Sequence, residues 1–571
     1  MTDPDATPSR FVGLIRRLPR TMLLLICLVA WLPGYFTIPP LDRDESRFAQ
    51  ASKQMLETHD FVDIRFGHEP RYKKPVGIYW LQAAATEAVS PLTGGARDWI
   101  WTYRIPSLVG ALVAVGLAFW CAQAFLGVEA SFLSALLLGL TILLSSEAKI
   151  AKTDAVLLAT VLGAQGVLLR AYLARDPGHP PLTFNLAMLG WLSFALGILV
   201  KGPVIAGVLG FTVIVLVVWD RDWRWLGKLR PLWGIGLTLI IAMPWLVAIL
   251  VKSHGAFYQE SLGHDFGAKL AGGQESHGLP PGYYVLMTIL TFWPATLFLV
   301  PALVATVVNH RQAAARFLLA WAGGWWLIEF VPTKLPNYIL PAYPALAMMA
   351  GAFILAPFDP DAPQWRRRLM PIVSSAHFIL GSGLLAAGIV ILPRLYGAGT
   401  SWGLIVASGV IALLSVVAVY LMLRGSNGAA AGISTVTAIV AMATLTMGVI
   451  PRLRDLMVSP REAAMVAKHI RHGDPPVVLA GYTEPSAVFL LGTETHIANG
   501  DRAAEIAAEQ GGLALIEDGQ RPAFLAHLAE VEADATAIDA MSGYNYSRGR
   551  SVHITLYRVA SPHEITTPPH E

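Results

Sequence analysis

The sequence predicts a mainly α-helical, polytopic membrane bundle with a small α/β domain at its C-terminal end. Three observations predict it. Of 571 residues, 54% are hydrophobic and 14% charged, where a soluble chain carries roughly 25% charged residues. Apolar runs near the length of a bilayer crossing, roughly 20 residues, recur about thirteen times between residues 21 and 451. Beyond residue 452 the pattern changes to short β-rich runs alternating with helical ones.

The first 20 residues read as a cytoplasmic N-terminus. Arg16, Arg17 and Arg20 precede the apolar run Met22 to Phe36. No small-x-small cleavage site follows, so the run reads as an uncleaved signal anchor. The remaining runs lie near 103–126, 129–146, 154–174, 184–200, 203–219, 232–251, 283–307, 317–332, 338–357, 370–393, 402–423 and 433–451. Residues 21–452 thus form the transmembrane domain. Cationic loops face the cytoplasm. With the N-terminus inside, the inward gaps gather Arg170 and Arg175, then Arg221, Arg224, Lys228 and Arg230, then Arg311 and Arg316, then Arg366 to Arg368, and Arg424. That alternation calls for an odd number of crossings. Cys27 and Cys121 both sit in apolar runs, which argues against a disulfide framework or a thiolate metal site.

The outward gaps include a first loop, 39–102, the turn 147–153, the turn 201–202, the loop 252–282 and the turn 333–337. Within the first loop, Glu45 to Thr58 and Gly77 to Val89 read as helices lying in the membrane interface. Residues 453–571 read as an outward α/β domain. Val477 to Ala480, Leu513 to Ile516 and Val552 to Val559 are its strands, and Ala503 to Gln510 and Pro522 to Val531 its helices.

Candidate chemistry falls in those outward gaps. Asp44 and Glu45 follow the first span, beside Pro39 and Pro40, with Arg47 on the same helical turn. A carboxylate there suits general-base work, although a surface acid also serves as plain solvated charge. Tyr72, Lys73 and Lys74 belong to a cationic, aromatic stretch with Arg65 and Arg71. Such cations clamp a phosphate or attract anionic headgroups at about 1 kcal/mol each. Asp154 opens the fourth span, where an acid also suits the helix dipole. Lys201 is a cation at membrane depth, a functional position by default. The loop 252–282 contributes His264 and Lys269 around Gly272-Gly273, without the HxxxH or HExxH spacing of a metal site. Lys334 and Tyr338 close the set with a cation and a hydroxyl.

Assembled, these residues resemble the bacterial membrane glycosyltransferases of the GT-C class related to protein O-mannosyltransferases, in particular the 4-amino-4-deoxy-L-arabinose lipid A transferases. The motifs are Asp44-Glu45-Ser46-Arg47-Phe48-Ala49, Tyr72-Lys73-Lys74-Pro75 before Tyr79-Trp80, Thr153-Asp154-Ala155, Lys201-Gly202-Pro203 and Lys334-Leu335-Pro336 with Tyr338-Ile339-Leu340-Pro341. They cover roughly residues 20 to 350. The resemblance implies a GT-C bundle and a sugar donor linked to undecaprenyl phosphate, used on the periplasmic side of the inner membrane. By carry-over Asp44 is the catalytic carboxylate and Lys74 the phosphate-binding lysine. His264 stands where some relatives place a metal ligand. One position departs: the acid before the family lysine is Lys73 here. That substitution weakens the case for a divalent metal, with Glu69 as the alternative ligand and Lys73 as the alternative charge.

The expected reaction is transfer with inversion to a membrane lipid or glycan acceptor such as lipid A. Asp44, with Glu45, would serve the acceptor. Arg47, Lys73, Lys74, Lys201, Lys269, Lys334 and Tyr338 would hold the donor phosphate, with Asp154 and Tyr72 as further site residues. Two other functions fit the composition: a protein O-glycosyl transferase, and a lipid or solute transporter. The crowding of charge at one face, rather than at the midplane, favours an enzyme over a transporter.

Overall fold

The computed structural model describes residues 10–261, 263 and 279–560. Among them, eight helices are long and apolar enough to cross a membrane, and four shorter apolar helices accompany them. The chain enters with α1 (Pro19–Trp31) and then runs through α2 (Asp44–Thr58) and α3 (Gly77–Ala88). It continues into α4 (Ile100–Ala122), α5 (Val128–Gly139), α6 (Ile142–Glu147), α7 (Asp154–Leu173), α8 (Phe184–Lys201), α9 (Val204–Asp220) and α10 (Pro231–Lys252). The second half brings α11 (Tyr283–Thr291), α12 (Thr296–Val308), α13 (Ala313–Trp326), α14 (Tyr343–Leu355), α15 (Met370–Leu395), α16 (Trp402–Leu423) and α17 (Asn427–Ala443).

Two of the apolar runs are broken helices. The run 129–146 stops at Gly139, and Thr141 caps a new start by accepting a bond from the Leu144 amide. The Trp31 indole donates to the Gly139 carbonyl at 3.1 Å, satisfying an acceptor that the break frees. The run 283–307 is interrupted between Thr291 and Thr296, around Pro294, which brings no amide hydrogen to a helix.

Successive helices run antiparallel, so one end of the bundle collects the start of α7, the end of α8 and the start of α9. The first loop lies across that end. Gly77, at the start of α3, sits against the end of α8: an added Cβ would lie 2.7 Å from the Leu199 carbonyl oxygen. Only glycine permits that approach, and it carries the Lys73-Lys74-Pro75 segment to the Lys201-Gly202-Pro203 turn. Gly202 has φ +62, a left-handed turn open to glycine.

α2, the first of the two helices expected in this loop, is covered by protein. Eleven of its residues, from Glu45 to Leu56, are buried, because a C-terminal layer covers the side away from the bundle. That layer contains α18 (Val458–His469), α19 (Pro485–Leu491), α20 (Gly500–Gln510) and α21 (Arg521–Glu530). A two-residue ladder in the first loop joins β1 (Arg65–Phe66) and β2 (Glu69–Pro70). The C-terminal sheet uses β3 (Val478–Ala480), β4 (His496–Ala498), β5 (Gly512–Glu517), β6 (Ala535–Asn545) and β7 (Arg550–Val559), in the order β4-β3-β5-β7-β6. β3 pairs parallel to β4 and β5 across helical connections, and β6–β7 is an antiparallel hairpin. Gln50 Nε2 donates to Thr493 Oγ1 at 2.8 Å and Lys53 Nζ to the Phe489 carbonyl at 3.4 Å, fastening α2 to this layer.

Candidate active site

A cavity of about 310 Å3 opens where α7, α8 and α9 meet the first loop and the segment before α14. Lys74, Asp154, Lys201, Asn337 and Tyr338 line its polar end, and Phe211, Trp325 and Ile328 are among its apolar walls. The helix order explains the polar end. Asp154 is the first residue of α7 and Lys201 the last of α8, each placed where the helix dipole favours its charge.

Asp154 is 3% exposed and well partnered on one side. Its Oδ1 accepts from Lys201 Nζ at 2.5 Å and from Asn337 Nδ2 at 2.9 Å. Its Oδ2 has no hydrogen-bond partner among the described residues but lies 3.8 Å from Lys152 Nζ. The Lys201 ammonium also stands 5.5 Å from the centre of the Tyr338 ring, a cation–π distance. Lys152 bridges Asp154 to a second buried acid, with Nζ 3.2 Å from Glu147 Oε1. Burial disfavours the Lys152 ammonium, but the carboxylates of Glu147, Asp154 and Asp44 outweigh that cost and raise its pKa.

Asp44 is exposed at the first position of α2, where the helix N-terminus favours a carboxylate. It does not line the cavity; its field reaches the buried charges through Lys152. Arg43, just before it, has φ 64, a strained conformation for a residue other than glycine. Arg47 and Lys73 are half-buried and likewise lie outside the cavity lining.

Three expected site residues are placed elsewhere. Glu45 is 1% exposed and makes a two-pronged pair with Arg104, Nε–Oε1 at 2.8 Å and Nη2–Oε2 at 2.9 Å. It also accepts from the amides of Leu41 and Ala151, both at 2.9 Å. Its lone pairs are therefore committed, which suits holding rather than proton transfer. Lys334 is 2% exposed and donates to the carbonyls of Glu329 and, at 2.7 Å, Val331. It closes its own loop instead of facing the cavity. Tyr72 is buried against Phe257, and its hydroxyl donates to Asp63 Oδ1 at 2.8 Å. His264 and Lys269 lie outside the described residues. Among the described residues no group of three His, Cys, Asp or Glu side chains is arranged to hold a metal ion. Glu69, the alternative ligand, sits exposed on β2.

The family model for dolichyl-phosphate-mannose-protein mannosyltransferases matches residues 73–247, the stretch that carries Lys74, Asp154 and Lys201. The crystal structure of ArnT from Cupriavidus metallidurans bound to undecaprenyl phosphate superposes with a TM-score of 0.73 at 18% identity, over 96% of this chain and 98% of that one. The chain has the fold of ArnT. In sequence it is 25% identical over 436 residues to the undecaprenyl phosphate-alpha-4-amino-4-deoxy-L-arabinose arabinosyl transferase of Pectobacterium carotovorum, covering 71% of each chain. It is 27% identical over 375 residues to the Pseudomonas aeruginosa (strain UCBPP-PA14) transferase of the same name, covering 63% of this chain and 62% of that one. The likeness to GT-C membrane glycosyltransferases read from the motifs thus extends to the whole ArnT-like fold.

Within that fold, sequence reading missed Lys152, Glu147, Asn337 and Arg104. Arg104 carried a signal: an arginine at the start of an apolar run needs a buried partner. Glu147 and Lys152 carried none, because nothing in their spacing reports that the Glu147 side chain is buried and that of Lys152 half-buried.

Proposed function

We propose that this chain is an integral membrane glycosyltransferase, moving a sugar from a polyprenyl phosphate donor to an envelope acceptor such as lipid A. One observation carries the proposal. The cavity is cationic at its polar end and apolar beyond it, which matches a phosphate carrying an isoprenoid chain. Lys74 and Lys201 would hold the donor phosphate, Tyr338 its rim, and Phe211, Trp325 and Ile328 the first isoprene units. The ArnT relatives act on undecaprenyl-phosphate sugars by name, and this supports the same donor class.

In the reaction the acceptor oxygen attacks the anomeric carbon while the bond from that carbon to the phosphate oxygen breaks. Asp44 takes the acceptor proton. The phosphate leaves as the polyprenyl phosphate anion, its charge held by the lysines. Attack opposite the leaving group inverts the sugar carbon. Glu45 acts as a positioning residue, because with Arg104 it fixes the turn that carries Lys152 and Asp154.

We read the eight long helices, the four shorter ones and α13 as crossings, an odd number of the kind the loop charges call for. We place the N-terminus in the cytoplasm, with the site, the first loop and residues 453–571 in the periplasm of a bacterial inner membrane. The test supplies membranes containing the protein with a radiolabelled polyprenyl-phosphate pentose. Mass spectrometry then follows envelope lipids and proteins from cells with and without the chain. A sugar-sized mass gain on lipid A or another glycolipid is expected; transfer to protein alone would favour the O-glycosyl reading. No transfer to any fraction overturns the function.

A further inference from the structure

A second, larger cavity of about 570 Å3 lies toward the opposite end of α7 and α8 and on the other face of α9. Small residues facing one another make it, among them Ala164 on α7, Ala187 and Gly190 on α8, and Ala206 and Gly210 on α9. Trp191 forms one wall. Its indole donates to the Leu229 carbonyl at 2.8 Å and lies where Gly234 leaves room, since a Cβ there would come within 2.0 Å of the ring. α9 separates the two cavities: Val204, Gly207 and Phe211 face the first, and Ala206, Gly210 and Val213 face the second.

Water has no polar partners in such a lining, and a vacant cavity costs stability in proportion to its volume. A chain from the bilayer fills it without either penalty. The segment joining α9 to α10, whose Trp223 and Leu229 line the cavity, adds charge. Arg221, Arg224 and Arg230 are exposed on it, and they have no ion-pair partner among the described residues. The neighbouring acids are already engaged: Asp220 by Arg175 at 2.8 Å and Arg316 at 3.3 Å, and Asp222 by Arg175 at 3.8 Å. Trp223 and Trp233 are 68% and 69% exposed beside them, as interfacial aromatics are at headgroup level. Basic pockets between membrane helices recognise anionic headgroups in this way.

We propose that this cavity binds one anionic diacyl phospholipid of the phosphatidylglycerol class. An acyl chain lies between α8 and α9, and the phosphate sits on Arg221, Arg224 and Arg230. The lipid backs α9 from behind and so holds the wall that α9 gives to the first cavity. This does not rest on the transferase reading.

The test uses the full-length protein in detergent, with phosphatidylglycerol or phosphatidylcholine of identical chains added. Native mass spectrometry and thermal melting are the readouts. Phosphatidylglycerol should be retained as a single copy and raise the melting temperature above that seen with phosphatidylcholine. The Arg221→Gln/Arg224→Gln/Arg230→Gln variant should lose that preference, with retention falling about tenfold to the phosphatidylcholine level. Gly210→Leu places a side chain in the cavity, where a Cβ at Gly210 meets nothing within 4 Å. It should melt as high as wild type without lipid and gain nothing from either lipid. Equal retention of the two lipids by wild type overturns the proposal. So does wild-type retention by Gly210→Leu, and so does a polyprenyl phosphate as the species retained. If the arginine variant fails to fold, Gly210→Leu decides alone.

Discussion

Asp44 and Asp154 are both carboxylates at helix starts, and their surroundings divide the work. Asp44 is exposed, with a helix dipole behind it that contributes about 0.3–1 kcal/mol and the Lys152 ammonium within reach of its field. Asp44→Asn should therefore leave thermal melting nearly unchanged while lowering transfer about 10²–10⁴-fold, the usual span for a lost general base; single-turnover assays on purified protein check it. Asp154 is buried and paired. Lys201→Met strands that carboxylate, and losses of about 3–5 kcal/mol follow when one partner of a buried pair is removed. Adding Asp154→Asn to Lys201→Met should restore part of the lost stability in chemical denaturation, while transfer stays low in both variants. Lys74, Asp154, Lys201 and Tyr338, which line the cavity, were legible in the sequence because each sits in a short motif at a span boundary. Lys334 sat in such a motif too, yet its ammonium turns onto its own loop carbonyls. Motif position fixes where a side chain starts, not where a four-carbon stem ends.

At the scale of elements, the joint around Arg104 matters most. Arg104 on α4 holds Glu45 on α2 and the carbonyls of Tyr35, Ile38 and Pro39 after α1, the latter three at 3.2, 2.8 and 3.0 Å. Through the Ala151 amide, Glu45 also holds the turn before α7. Four segments are thus fixed by one ion pair that never meets solvent. Arg104→Met should cost about 3–5 kcal/mol, because Glu45 keeps a buried, uncompensated charge. The double variant Glu45→Met/Arg104→Met should recover much of it, a coupling that a double-mutant cycle measures. Expected elements α2 and α3 were legible because their periodicity is local. The break in the run 129–146 was not, since the Gly139 carbonyl is satisfied by Trp31, a residue from another helix.

At the scale of the molecule, the C-terminal layer closes over the first loop through acids. Asp42 accepts from Ser486 and, at 3.4 Å, Tyr482, and its amide donates to Tyr546 Oη at 2.8 Å. Glu462 on α18 is fully buried, with neither oxygen hydrogen-bonded among the described residues. Around it stand Asp42, Glu484, which accepts from Asn545 at 3.0 Å, and Glu517, which Arg550 neutralises. Burial pushes the Asp42 carboxyl up to about 6, with Glu484 adding to the rise against the hydroxyl donors. Burial and the neighbouring acids raise Glu462 as well. Both groups hold protons more tightly in the closed state than when released. Closure is therefore strongest below their ordinary range near pH 4 and weakens as pH climbs through 6. Limited proteolysis of the C-terminal layer should accelerate between pH 5 and pH 8, and Glu462→Gln should flatten that rise. The sequence indicated an α/β tail but not its seat, because Asp42 and its partners lie more than four hundred positions apart.

The bond from the Asp42 amide to Tyr546 has a consequence for biosynthesis. Its two residues are 504 positions apart, so at roughly 5–20 residues per second they leave the ribosome about 25–100 s apart. The pair Glu45–Arg104 forms much earlier, its members being 59 positions apart. A nascent chain thus inserts and fixes the loop behind Asp44 long before the lid over Asp42 exists. Chains stalled before the C-terminal layer would leave bare the face of α2 that carries Ala49, Gln50 and Lys53, which meets Phe489 and Thr493 in the finished protein.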